Sequence, residues 1–180
     1  DTALNTIIEA IDKLRDTSSS HHRCSIVEVM GNRCPDLAIF AGISTGAEII
    51  VTPLVKYSQD NVIDLINFYE KAKKKRHAIV IVTEKITDVE ELAKEVSKRT
   101  GFSGRSTVLG HVQRGGAPSA FDRMLATRLG DAAVFSLIHN KDAQCIGILQ
   151  NEIVSIPIEE ALNMKHSDRK QLLALHERIV

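Results

Sequence analysis

A chain of 180 residues, 43% hydrophobic and 26% charged, has the composition of a folded globular domain and can bury roughly two thirds of its unfolded surface, as one domain or one domain plus part of another. Its 23 Lys and Arg balance 23 Asp and Glu for a formal net charge of zero, which excludes recruitment of nucleic acid or membrane by an overall field. No apolar run approaches the roughly 20 residues of a membrane helix, and Cys24, Cys34 and Cys145, odd in number and without CxxC or zinc spacing, read as reduced thiols of a cytoplasmic protein.

Leu4, Ile7, Ile8, Ile11 and Leu14 recur at helical spacing and predict an amphipathic helix over 3–15. The polar loop that follows, Thr-Ser-Ser-Ser-His-His at 17–22, has no carboxylate or cysteine at ligand spacing, so its histidines are not read as a metal site. Residues 24–29 predict a strand closed by Met30-Gly31, and Pro35-Asp36 a helix start, with the short apolar helix 37–45 stopped by Gly46. Residues 48–52 form the next strand, ended by Pro53, and 60–74 a second amphipathic helix running into Lys73-Lys-Lys-Arg76. The segment 77–82 holds Ala-Ile-Val-Ile-Val without a polar break, the pattern of a strand covered on both faces. Thr87 and Glu90 make a capping-box pattern for a helix reaching Lys98, with Gly101 as its stop. A strand at 106–109, a helix at 119–138, a strand at 143–149, a short antiparallel edge at 152–156 and helices at 157–163 and 167–179 complete the chain. Strands that alternate with helices imply an α/β fold, a Rossmann-like parallel sheet with helices on both faces and right-handed crossovers.

The chemistry concentrates in the run from Arg105 to Gly130. Its strand ends at Gly110; a turn carrying His111, Gln113 and Arg114 follows, then Gly115-Gly116, and Pro118 just before a helix. Ligands of open α/β sheets sit at the carboxyl ends of strands. A guanidinium fork matches phosphate oxygens, and glycine lets backbone N–H groups approach an anion. The run therefore reads as a phosphate-ligand site; taken alone, a polar loop with an exposed arginine has the same composition.

The same run resembles a signature of the ATP-dependent phosphofructokinase family, bacterial type. The likeness continues through Ala-Leu-Asn-Thr (3–6), Arg-Asp-Thr-Ser-Ser-Ser-His (15–21), Val-Glu-Val-Met-Gly (27–31), Val-Thr-Glu (82–84) and Gln-Asn-Glu (150–152), in the family's order. The resemblance implies a small sugar-phosphate and effector domain over 1–112, a segment of a larger nucleotide-binding domain over 113–163, and a carboxy-terminal helix, 164–180, returning to the small domain. It implies phosphoryl transfer from MgATP to fructose 6-phosphate in glycolysis, with a pyrophosphate-dependent relative and a non-catalytic sugar-phosphate-binding module as alternatives. A scaffold with decayed sites is the blandest reading.

By the same resemblance, His111 and Arg114 hold the 6-phosphate, Glu84 accepts hydrogen bonds from the sugar hydroxyls, and Met30 and Gly31 shape the floor. Arg23 and Arg105, each read as lying just before a strand, would reach a neighbouring subunit's site in a homo-oligomer, a tetramer in the bacterial family. Arg15, Gly46, Glu48, Lys73 and Lys75 match an effector site for ADP or phosphoenolpyruvate, with Glu48 helping to hold Mg2+; a basic helix end is also what the helix dipole favours without a ligand. The ATP site and the catalytic aspartate are expected upstream of Asp1, so no catalytic residue is assigned and the isolated chain is expected to be inactive. One departure stands out. The family's Met-Gly-Arg-x-x-Gly is here Met30-Gly31-Asn32-Arg33-Cys34-Pro35, with the arginine displaced by one position and a proline that cannot donate an N–H.

Overall fold

A computed structural model describes residues 1–18, 21–139, 143–164 and 169–180, and the chain divides into two units, Thr2–Gly116 with Arg169–Val180, and Ala117–Asp168 with Asp1. In the first unit, β1 (Arg23–Val29), β2 (Ile49–Val51), β3 (Ala78–Thr83) and β4 (Ser103–Val108) form a parallel sheet in the order β2-β3-β1-β4. Helices α1 (Thr2–Ser18) and α2 (Asp36–Thr45) cover one face, and α3 (Gln59–Lys71) and α4 (Val89–Arg99) the other.

Alternation along each strand produces this layering. On β1, Cys24 and Ile26 enter the core under α3 and α4, while Val27 and Val29 enter the core under α1 and α2. On β3, Ala78, Val80 and Val82 go one way and Ile79 and Ile81 the other, and with Thr83 all six residues of the strand are buried. Each fully buried Ile or Val contributes about 1.5–3 kcal/mol of transfer free energy. Ile7 and Ile11, four apart on α1, are the buried points of its apolar stripe.

Three local expectations change. The cap of α4 is Asp88 rather than Thr87: its carboxylate accepts the N–H groups of Glu90 and Glu91 at 2.9 and 3.1 Å. A negative charge is also favoured at a helix amino end. Strand β4 begins at Ser103, three residues before the expected start. It is an edge strand, half-exposed and polar in Ser-Gly-Arg-Ser, so hydrophobic alternation does not mark it. As a result Arg105 lies inside β4, opposite Ser25, while Arg23 heads β1. The polar loop after the first helix is shorter than expected, because α1 continues to Ser18, whose hydroxyl meets that of Ser25 at 2.9 Å; Ser19 and Ser20 of that loop lie outside the described residues. The last helix, α7 (Lys170–Ile179), packs on the first unit, and Arg169 at its start forks onto Asp36 at 2.9 and 2.8 Å.

In the second unit, α5 (Ala120–Ile138) is capped by Ser119, which accepts the Asp122 N–H at 3.2 Å. A two-stranded antiparallel sheet follows, β5 (Gln144–Leu149) with β6 (Glu152–Pro157), then α6 (Ile158–Asn163). Gln150 and Asn151 turn the hairpin with φ of 50° and 68°, both positive as a type I′ turn requires.

Candidate functional site

Three neighbouring strands, β3, β1 and β4, finish at one edge of the sheet, and the segments leaving them carry the candidate residues. Glu84 follows β3 and is tied to β1 by its N–H, 2.9 Å from the Val29 carbonyl. Its Oε1 accepts two further backbone donors, Gly31 at 3.0 Å and Asn32 at 2.6 Å. Those two hydrogen bonds hold the Glu84 carboxyl below its ordinary range, with Lys85 and then Arg114 adding positive charge nearby. Glu28, two residues before Met30, goes the other way: burial pushes its carboxyl up, and the charges of Glu84 and Asp88 add to the effect.

The departure at 30–35 has a clear structural form. Cys34 N–H closes the turn onto the Gly31 carbonyl at 2.7 Å, and Asn32 adopts φ of 53°, a left-handed conformation that asparagine tolerates. Lys85 Nζ donates to Asn32 Oδ1 at 3.0 Å, while Arg33 is exposed. Pro35 stands at the amino end of α2, where a helix has no partner for that N–H and its loss costs little.

Beyond β4 the chain turns through a 3-10 segment, Gly110–Arg114, entered by Gly110 at φ of 53°. Residues three apart eclipse in a 3-10 turn, so His111 and Arg114 stand on one side of it, both exposed. Gln113 is buried beneath them, bonded to Met30 N–H at 3.1 Å and the Gly110 carbonyl at 3.0 Å. Its inward turn has no signal in the sequence, where Gln113 is one polar residue of a polar turn.

Met30, Gly31, Glu84, His111 and Arg114 are therefore gathered at one edge. Arg23 and Arg105 are not among them. The pairings Arg23↔Ser103 and Ser25↔Arg105 put both arginines on one sheet face toward its amino end, and the seven steps from Arg23 to Met30 span on the order of 20 Å. Arg105 also lines a shallow depression between α4 and β4 with Lys94 and Ser97.

Four of the remaining five candidates form two contacts near the carboxyl end of α2. Arg15 reaches from α1 to the Thr45 carbonyl, beside Gly46, whose φ of 61° ends the helix; its Nε is buried without a hydrogen-bond partner. Glu48 is 4% exposed and both of its oxygens are engaged, Oε1 by Lys75 Nζ and Oε2 by the Ile79 N–H, each at 2.7 Å. Lys73 lies apart, 3.5 Å from the Val180 carbonyl. The described residues contain no group of three His, Cys, Asp or Glu able to hold a metal. Glu48 therefore belongs to no such group among the described residues with which to hold a magnesium ion.

These features define a Rossmann-like α/β unit whose strand ends carry a candidate site of mixed cationic and carboxylate character. A family profile described as Phosphofructokinase matches residues 1–137, and the chain belongs to that family. It is similar to the ATP-dependent 6-phosphofructokinase of Mannheimia succiniciproducens, with 50% identity over 99% of this chain and 56% of the relative. Among solved structures, phosphofructokinase from Saccharomyces cerevisiae aligns with a TM-score of 0.80 and 35% identity over 98% of this chain and 24% of that one. The pyrophosphate-dependent phosphofructokinase from Marinobacter aquaeolei aligns at 0.79 and 19% identity over 94% and 49%, a likeness of fold. The chain spans about half the length of the curated relatives it matches.

Proposed function

We propose that this chain is the carboxy-terminal portion of an ATP-dependent 6-phosphofructokinase and that its strand-end site binds fructose 6-phosphate. The carrying observation is the convergence of Glu84, fixed by two backbone N–H groups, with the exposed His111–Arg114 pair at the ends of β3 and β4, the two strands that flank β1. The guanidinium and imidazole take the 6-phosphate. Glu84 spends Oε1 on Gly31 and Asn32, which leaves Oε2 to accept from a sugar hydroxyl. Held ionised below its ordinary range, it keeps that acceptor role at neutral pH. Transfer of a phosphoryl group depends mainly on positioning and charge stabilisation, and positioning the acceptor sugar is this chain's contribution.

The ATP site, its Mg2+ and the proton-accepting aspartate belong to parts of the enzyme that these 180 residues do not supply, so the isolated chain binds without turnover. The name of the 50% identical relative favours ATP over pyrophosphate. Arg23 and Arg105, sharing a face at the far end of the sheet, serve a neighbouring subunit's sugar phosphate in a homo-oligomer, in the family a tetramer. Arg15, Gly46, Glu48, Lys73 and Lys75 serve an ADP- or phosphoenolpyruvate-type effector, and cytoplasmic glycolysis is the setting. Exposed Phe121, Met124, Leu137 and Ile138 on α5 support a place in a larger assembly, since apolar surface of this kind is normally covered.

Calorimetry with fructose 6-phosphate tests the site. Loss of the Arg114 guanidinium removes a charge-assisted bond worth about 1.5–3 kcal/mol, so Arg114→Ala is expected to bind roughly 10- to 150-fold more weakly than the unaltered chain. Equal affinity for the two proteins refutes the assignment.

A further inference from the structure

Gln113 is 1% exposed, while Val112 beside it is 62% exposed. This reverses the usual partition of amide and alkyl side chains. A buried amide is costly unless its hydrogen bonds are made, and this one is placed so that both ends are used. Oε1 accepts the Met30 N–H at 3.1 Å and Nε2 donates to the Gly110 carbonyl at 3.0 Å. Only one orientation of the amide serves both, because the N–H needs an acceptor and the carbonyl a donor.

The two partners belong to opposite sides of the proposed site. Met30 opens the segment after β1, and Gly110 opens the turn after β4. Backbone pairing of the two chains ends one step earlier, with the Leu109 N–H on the Glu28 carbonyl at 3.1 Å. Past that bond the amide takes over the role of the ladder. Three consecutive backbone donors, Met30, Gly31 and Asn32, are each claimed by a side chain from another strand's end, the first by Gln113 and the next two by Glu84.

We propose that Gln113 is the positioning residue of this site: its amide locks the turn bearing His111 and Arg114 against the segment that holds Glu84, and so sets the separation between phosphate grip and hydroxyl acceptor. This rests on the sugar-phosphate reading for its purpose, but not for its geometry. Gln113 touches no reacting atom; it acts through Met30 and Gly110. Release of its amide frees the 30–32 segment, and Glu84 then loses the donors that hold its charge, while Lys85, Arg114 and Glu28 remain as its charged neighbours.

The test uses the 180-residue chain with Gln113→Met, similar in length and unable to form either bond, and Gln113→Asn, still an amide but one methylene too short to span both partners. Circular dichroism establishes folding, carbon-13 NMR follows the Glu84 carboxyl, and calorimetry gives the affinity for fructose 6-phosphate. In the folded variants the Glu84 titration is expected to move up toward the ordinary carboxylate range and the affinity to fall at least about tenfold. Should Gln113→Met not fold, the asparagine variant decides by the same readouts. A Glu84 titration unmoved from that of the unaltered chain overturns the proposal whatever the affinity does, because a merely structural glutamine alters stability without reaching Glu84. If the titration moves but the unaltered chain does not bind the sugar phosphate, positioning by Gln113 stands and the sugar-phosphate reading falls.

Discussion

His176 Nε2 lies 2.6 Å from the carbonyl oxygen of Ala47, 129 positions earlier in the chain. A carbonyl can only accept, so Nε2 carries the proton and the ring donates. The imidazole is 5% exposed and pins α7 to the turn that follows Gly46 and precedes Glu48. Truncation leaves a buried carbonyl without a donor, at a cost of about 1–3 kcal/mol. Denaturant melts of His176→Ala are expected to show that loss, while Arg178→Ala, exposed on the same helix, stays within about 0.5 kcal/mol of the unaltered chain. Matching losses in both variants would mean that the helix is held by something other than this bond.

Glu84 gives the site a pH signature. Its carboxyl is held below the ordinary value of 4.5 in the folded chain, first by the Gly31 and Asn32 N–H groups. A depressed folded value means that the ionised form contributes stability fully above the unfolded value, and that the contribution disappears as pH falls through the folded one. Glu84→Gln keeps an oxygen for the two N–H groups but removes the charge, so it is expected to be less stable at neutral pH. The gap should close on acidification below the ordinary carboxylate range, in urea melts run at stepped pH. A gap that is constant down through that range would show that Glu84 is not held in its charged form.

What could be read in the chain beforehand was what local pattern encodes. The apolar run at 78–82 announced β3 because both faces of that strand are covered. Gly46 marked the end of α2 because a left-handed residue closes the helix, and Ser119 marked the start of α5. The start of β4 was hidden because an edge strand carries polar residues, which also misplaced Arg105 relative to its strand. At the site, the residue types and strand ends were visible, but the geometry was not. That Glu84 Oε1 would be spent on two N–H groups, that both Glu48 oxygens would be engaged by Lys75 and Ile79, and that Gln113 would turn inward onto Met30 all depend on contacts 27 to 83 positions apart, beyond the reach of periodicity or spacing.

Two glycines are expected to respond to alanine with opposite signs. At Gly104 a Cβ would sit 2.2 Å from the Ala93 carbonyl oxygen and 3.0 Å from its carbon. Both are backbone atoms of α4, and the Gly104 N–H also donates to Ser97 Oγ at 2.9 Å, so neither side can give way without parting β4 from α4. Overpacking of this kind costs about 1–3 kcal/mol. Gly130 lies inside α5, and a methyl group added there would meet nothing within 4 Å. Gly130→Ala is therefore expected to stabilise by about 0.5–1 kcal/mol through helix propensity. Thermal and urea melts of the two single variants check both signs; a Gly104→Ala chain as stable as the original would remove close backbone contact as the reason for that glycine.

The three thiols offer a chemical map of burial and of the site together. Cys24 is fully buried on β1, where burial, with the Glu48 charge adding to it, pushes the thiol far up its range, so it has almost no thiolate to react. Cys34 and Cys145 are exposed. Titration of the native chain with a thiol-specific disulfide reagent is expected to consume two of the three thiols, the third reacting only after denaturation. Cys34 also closes the turn onto Gly31, within the segment proposed to line the sugar-phosphate site, whereas Cys145 belongs to the other unit. Fructose 6-phosphate is therefore expected to slow labelling of Cys34 and leave Cys145 unchanged, which peptide mapping of the labelled chain distinguishes. Protection of both thiols alike would point to a general tightening of the protein, and protection of neither would place the ligand away from the 30–35 turn.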